Sequence, residues 1–180
     1  FPFFFFFSFL LPGLFDFGFV YFHATFFKFL MDCCAGRATK AVQTLKKIMP
    51  DSEKNPSARS GAEPYVFTNC YSTHPGYYGK SYQSWTTGTS VWCLMGLYEG
   101  ILGIKRDYEG LRIHPCFPAQ WEEAEVTRHF RGADYHIVIR NPEHLENGTA
   151  QIRADGVLCD SDLLPDYRDG QMHEIEIILK

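Results

Sequence analysis

With 180 residues, 46% of them apolar and 21% charged, the chain has an ordinary globular composition, enough for one domain or two small ones. A net charge of -4 and a pI near 6.0 provide no sequence-wide attraction for nucleic acid or an acidic membrane surface, and no run of Lys and Arg creates one locally. The six scattered cysteines, Cys33, Cys34, Cys70, Cys93, Cys116 and Cys159, include no C-x-x-C pair and read as buried thiols of a reducing, cytoplasmic compartment, which disfavours a disulfide framework and a zinc site.

The N-terminus departs from this composition, because 14 of the 17 phenylalanines fall within the first 29 residues. Pro2 and Pro12 interrupt the uncharged run, Asp16 follows it, and Phe replaces the Leu and Ala expected of a membrane span. The segment also lacks an initiating Met and the basic region of a signal peptide. Phe, Ser, Leu and Pro share pyrimidine-rich codons, so residues 1 to about 17 are expected to be translated pyrimidine-rich DNA, and residues 1–20 are set apart as a non-native or anchor-like segment.

From Phe26 to Met49, apolar residues recur at three- and four-residue spacing in two sets: Phe26, Phe27, Leu30, Met31, Cys34, then Ala38, Ala41, Val42, Leu45, Ile48. This predicts two helices joined by a tight turn at Gly36, the second ended by Pro50, with an exposed loop over residues 51–62. Residues 63–85, rich in Tyr, Gly and Pro, predict a long ordered loop with one short strand at Tyr65–Phe67, and such loops are usually functional. The run Val91–Leu102 is apolar almost all round, which predicts a helix buried on most sides.

After Asp107 the pattern changes to short alternating runs, Leu111–Ile113, Ala124–Phe130, Tyr135–Ile139, Thr149–Arg153 and His173–Leu179. The turn signals Arg131-Gly132, Asn147-Gly148, Asp155-Gly156 and Asp169-Gly170 separate them, predicting an antiparallel sheet or sandwich. Asn147-Gly148-Thr149 also fits a glycosylation sequon, but its place between two strand-like runs favours a hairpin.

Ser84-Trp85-Thr86-Thr87-Gly88-Thr89-Ser90 places hydroxyls and a glycine where the apolar helix begins, the outline of an anion site. Gly88 permits close approach of a phosphate and the Thr87 hydroxyl can donate to it; ordinary N-capping explains the same pattern. Tyr77, Tyr78, Tyr82 and Trp85 could face a sugar ring or simply pack their loop. By spacing alone His23 is a core histidine, and His74 an exposed loop histidine. Glu63, Glu99, Asp107 and Glu109 show no acid–base spacing, and no metal-ligand cluster is evident.

The blocks Glu63-Pro64-Tyr65-Val66-Phe67-Thr68-Asn69, Tyr82-Gln83-Ser84-Trp85-Thr86-Thr87-Gly88-Thr89, Gly100-Ile101-Leu102-Gly103-Ile104, Asp107-Tyr108-Glu109-Gly110-Leu111 and Phe130-Arg131-Gly132-Ala133-Asp134-Tyr135 together resemble glycoside hydrolase family 94, the cellobiose and chitobiose phosphorylases. The resemblance implies an α+β chain: residues 21–105 as the end of an (α/α)6 barrel and residues 106–180 as an antiparallel, jelly-roll-like sheet domain. It implies an inverting phosphorolysis of a β-linked disaccharide or oligosaccharide, with inorganic phosphate as co-substrate, no other cofactor and no metal, and often a homodimer. It assigns phosphate binding to Thr87 and Gly88, promotes His23 to a phosphate contact through Phe22-His23-Ala24, and puts Asn69 near sugar or phosphate. The family's catalytic aspartate and its phosphate-binding arginines fall upstream of Phe1, so the chain alone is expected to be inactive.

A second reading is a non-catalytic carbohydrate-binding module in which Trp121 or Tyr135 stacks on glycan. A membrane-anchored interaction protein requires the Phe run to be genuine. Sequencing the transcript across codons 1–20 is expected to show no in-frame start codon ahead of the Phe run; a continuous message behind such a codon restores the anchor.

Overall fold

In α1 (Phe22–Cys34), Phe22, Phe26 and Phe29 are spaced i, i+4, i+7, which lines their rings along one helical face, and all three are fully buried. The computed structural model describes residues 18–180; the segment expected to be non-native, residues 1–17, lies outside them. The described residues form two compact units, one of residues 18–29 with Gln43–Leu94, the other of Leu30–Val42 with Met95–Lys180.

The first unit holds a small antiparallel sheet of β1 (Val20–Tyr21), β2 (Cys70–Tyr71) and β3 (Ser81–Tyr82), in that order. Phe22 packs edge-on against Tyr71 with centroids 4.9 Å apart, and Phe26 against Phe67 at 6.2 Å. The predicted strand at Tyr65–Phe67 is absent; the chain pairs instead at Cys70–Tyr71. The first helix also buries a different stripe from that read off the sequence: Phe27, Met31 and Cys34 lie outside. A helix apolar on two faces leaves periodicity unable to choose between them, and Phe22/Phe26/Phe29 is the face that packs.

Gly36 ends α1 as predicted, at φ +68°, with Gly36 N donating to Cys33 O at 3.0 Å and Arg37 N to Asp32 O at 2.8 Å, a Schellman cap. After it, α2 spans Ala38–Ile48. A short α3 (Ser57–Ser60) interrupts the polar loop. The apolar run forms α4 (Thr89–Met95) and continues as a π-helical stretch, Gly96–Ile101. Burial is one-sided: Cys93, Gly96, Gly100 and Ile101 are inside, whereas Val91 (60%) and Leu94 (56%) are exposed. Among the described residues no helix is long and apolar enough to cross a membrane. The six cysteines form no disulfide, four of them are buried, and burial pushes the Cys93 thiol up to about 11.

In the second unit, β4 (Ile104–Arg106) and β5 (Leu111–Ile113) form an antiparallel pair. A five-stranded sheet follows, built from β6 (Glu123–Phe130), β7 (Ala133–Arg140), β8 (Ala150–Ala154), β9 (Val157–Leu158) and β10 (Met172–Leu179). Its order is β6-β7-β10-β8-β9, and β7–β10 is a parallel pair where wholly antiparallel pairing was expected. Register explains the stability of this pairing: Tyr135 lies opposite His173, Ile137 opposite Ile175 and Ile139 opposite Ile177, so the inward sets of both strands coincide.

Arg131-Gly132 and Asp155-Gly156 turn the β6–β7 and β8–β9 hairpins, each with both central residues at positive φ. Asn147-Gly148 makes no hairpin, because β10 separates β7 from β8; a local turn signal is overridden by a long-range strand. Tyr135 is unavailable as a glycan platform: it is 1% exposed in the core, its hydroxyl donating to Pro165 O at 2.8 Å. Trp121 is half-buried and packs edge-on against Phe117 at 5.6 Å.

Gly103 sits at φ +64°, and a Cβ there would lie 2.0 Å from the His114 carbonyl oxygen. The three nearest atoms, His114 O, His114 C and Pro115 N, are all backbone, so Gly103→Ala is expected to cost about 3 kcal/mol or more, combining strained backbone with overpacking. Urea unfolding of the variant reads this cost, and an unchanged midpoint refutes it.

Candidate functional site

A backbone ladder assembles the site. Phe22 N donates to Asn69 O at 3.0 Å, and Asn69 N donates to Tyr82 O at 3.2 Å, so the first turn of α1, the end of the Tyr/Gly loop and β3 are held side by side. From β3 the chain passes through Gln83 (φ +56°) and Trp85 (φ +67°), two non-glycine residues in the left-handed region. Each such residue costs about 1–3 kcal/mol, and such costs persist where the surroundings over-determine the backbone.

All four residues proposed from the sequence meet here. His23 Nδ1 is 2.7 Å from the Tyr21 hydroxyl. With the tyrosine as donor, the proton of the imidazole sits on Nε2, which is buried and has no hydrogen-bond partner among the described residues. That nitrogen lies 3.2 Å from where a Cβ on Gly88 would stand, so only glycine leaves the gap open. Gly88 O accepts from Trp92 N at 3.1 Å, which makes Gly88 the cap residue of α4.

The Thr87 hydroxyl is the centre of a relay. It accepts from Thr89 N at 3.2 Å, lies 2.7 Å from the Thr89 hydroxyl, and donates to Asn69 Oδ1 at 3.1 Å. Asn69 Nδ2 in turn donates to Gln83 Oε1 at 2.8 Å. Thr87, one residue before the cap Gly88, thus satisfies the first amide of the helix, while its proton is directed at Asn69. Every hydrogen-bonding side chain of this relay is a hydroxyl or an amide, and the imidazole completes the set; none is a carboxylate.

Beside the relay lies a cleft of about 380 Å³ lined by Phe19, Tyr21, Asn69, Tyr82 and Gln83. Phe19 stacks on Tyr82 at 5.3 Å, presenting a flat apolar wall. Gln83 was not singled out from sequence, since nothing in its neighbours signals a positive φ or a bond to Asn69. Trp85, 69% exposed, donates from its indole to Glu63 Oε1 at 3.0 Å, and this bond holds the Glu63 carboxyl below its ordinary range. His74 serves its own turn, Nδ1 accepting from Gly76 N at 3.1 Å. Among the described residues no group of three or more His, Cys, Asp or Glu side chains could hold a metal ion.

Residues 3–103 match the glycosyl hydrolase 94 superfamily, catalytic domain. The chain is 39% identical over 168 residues to solabiose phosphorylase of Paenibacillus borealis, covering 92% of this chain and 22% of the relative. It is 36% identical over 173 residues to the 3-O-beta-D-glucopyranosyl-beta-D-glucuronide phosphorylase of the same species, covering 94% and 22%. To N,N'-diacetylchitobiose phosphorylase of Vibrio proteolyticus it is 28% identical over 163 residues, covering 90% and 20%. The chain therefore spans about a fifth of the length of these curated relatives.

Because Thr87 satisfies a first-turn amide, Thr87→Val is expected to lower stability by about 1–2 kcal/mol and Thr87→Ser by a few tenths, as for helix caps generally. Denaturant unfolding of the two variants checks this; equal costs would show that the hydroxyl does not cap.

Proposed function

Since this chain belongs to the glycosyl hydrolase 94 superfamily, the family its sequence blocks resemble, we propose that it forms one wall of the inorganic-phosphate site of an inverting disaccharide phosphorylase. One observation carries the reading: a buried imidazole nitrogen, without a partner among the described residues, faces the glycine cap of a helix, next to a threonine hydroxyl. Imidazole N–H and hydroxyl are both donors, and donors beside a gap that glycine leaves open suit an oxyanion.

In the reaction, an acid protonates the glycosidic oxygen while a phosphate oxygen attacks the anomeric carbon from the opposite face. The bond to the acceptor sugar breaks, the new C–O bond forms with inversion, and an α-sugar 1-phosphate leaves with the freed acceptor. Phosphate arrives already anionic, so no general base is required and the protein's task is alignment. Here His23 Nε2 and the Gly88 region hold the anion, and Thr87 turns its proton from Asn69 Oδ1 towards it. Asn69, kept in place by Gln83, adjoins the aromatic-walled cleft, which takes the sugar. The names of the relatives, phosphorylases of solabiose, of a glucosyl-glucuronide and of diacetylchitobiose, support a β-linked disaccharide or oligosaccharide as substrate class.

The general acid and the cationic partners of phosphate are supplied by residues outside this donor set, as the family resemblance implies. The isolated chain is then inactive, and exposed Phe27, Val91 and Leu94 favour its aggregation.

Titrating the chain with inorganic phosphate is expected to shift the His23 ring and the Gly88 and Thr89 amide signals in NMR spectra. Each charge-assisted bond contributes about 1.5–3 kcal/mol, so His23→Ala and Gly88→Ala each weaken binding about 10- to 100-fold while Thr87→Ser retains it. Failure of those signals to saturate removes the phosphate assignment. Release of sugar 1-phosphate from cellobiose or diacetylchitobiose by the chain alone contradicts the division of labour.

A further inference from the structure

Among the described residues His173 is the buried histidine, 8% exposed, at the start of β10 in the sheet unit. Its two ring nitrogens face carboxylates from two different turns. Nδ1 is 2.8 Å from Asp155 Oδ2 in the β8–β9 turn, and Nε2 is 3.1 Å from Asp169 Oδ1 in the turn before β10. Tyr167 lies flat on the ring, with centroids 3.4 Å apart and planes 2° from parallel. A neutral imidazole has one N–H and can donate to one of these carboxylates; only the imidazolium donates to both.

The two arms differ in how else they are held. Asp155 Oδ1 accepts from Glu174 N at 2.9 Å, and Asp155 N donates to Glu174 O at 2.8 Å, so the sheet itself anchors this residue. Asp169 has a local bond from Gln171 N at 3.0 Å, and its turn is pinned at its far end by Gly170 N donating to Gly132 O at 2.8 Å and Asp134 N donating to Gln171 O at 2.9 Å, so the Asp169 carboxylate itself is tied to the sheet through His173. Its turn contains Arg168 at φ +55°, a conformation that a non-glycine residue adopts only under constraint.

We propose that His173 is a pH-operated latch: as imidazolium it holds the Asp169 side chain, and with it the Tyr167–Asp169 part of the turn, against the sheet, and on losing the Nε2 proton it keeps Asp155 and releases Asp169 while Gly170 stays bonded to Gly132. Tyr167 lines a groove with Asp155, Leu158 and Cys159, so one wall of that groove moves when the latch opens. The other groups around the ring do not replace the proton. The Tyr135 hydroxyl donates to Pro165 O, and Tyr167, raised to about 12, stays neutral. Asp166 is taken by Arg131 and Arg168, and the Glu174 carboxylate pairs with His136.

The flanking carboxylates raise the proton affinity of His173, and the imidazolium holds Asp155 and Asp169 below their ordinary range. The contribution of His173 to stability is complete below the ordinary imidazole value of about 6.5 and is lost as pH rises through its raised folded value. At the acid end the latch fails as pH falls through the depressed values of the two aspartates.

Equilibrium unfolding of the chain and of His173→Gln from about pH 5 to about 9 tests this. The ratio of their folding constants is expected to fall with rising pH by up to about tenfold per pH unit above 6.5, the limit for one linked proton. His136, which also titrates between Glu125 and Glu174, is common to both proteins and cancels. Over the same range, nitrogen NMR is expected to show Nε2 losing its proton while Nδ1 keeps its own, with faster amide exchange over residues 167–169. A ratio independent of pH, or loss of the Nδ1 proton instead, overturns the latch. Should His173→Gln not fold, Asp169→Asn supplies the comparison: the His173 titration moves to lower pH if the latch exists, and an unmoved titration rejects it.

Discussion

Asn69 is the residue on which the site turns. Its carbonyl receives the amide of Phe22, its amide reaches the carbonyl of Tyr82, and its side chain bridges Thr87 and Gln83. Two stretches far apart in sequence, at Phe22 and at residues 82–87, are thereby fixed within hydrogen-bond distance of one residue. The imidazole of His23 and the glycine cap of α4 face each other beside these bonds. A side chain with a different donor and acceptor pattern at position 69 would leave Thr87 or Gln83 unsatisfied, and with it the geometry that makes an anion site conceivable.

The parts of the fold visible in the sequence are those set by local periodicity and turn chemistry. The two helices around Gly36, the hairpins at Arg131-Gly132 and Asp155-Gly156, and the alternation that buries Ile137, Ile139, Ile175 and Ile177 all follow from neighbours a few residues apart. What escaped was decided at long range. Phe27 and Phe26 are equally apolar, and only the packing partners select the face containing Phe26. Asn147-Gly148 carries a strong hairpin signal, yet the strand that pairs with β7 comes from more than thirty positions later.

The site divides in the same way. Thr87 and Gly88 were legible because capping hydroxyls and close-approach glycines have a local chemical meaning. His23 was not: among so many phenylalanines its spacing says core, and only the family resemblance promoted it. Gln83 left no trace, since its role rests on a left-handed backbone and a bond to a residue fourteen positions earlier. In the folded structure these residues lie near one another, with the Tyr21 hydroxyl hydrogen-bonded to the imidazole that pattern alone would have dismissed.

The placement of β10 at the middle of the five-stranded sheet has a consequence for how this chain comes to be made. During vectorial synthesis β6 and β7 can close their hairpin early, and β8 and β9 theirs, but each pair then presents one bare edge of amides and carbonyls. Those edges wait for Met172–Leu179 to leave the ribosome, and only then is the sheet zipped from its centre. Until that moment the nascent unit is two half-sheets with complementary sticky margins, dependent on speed or on a chaperone to avoid meeting the margins of another molecule.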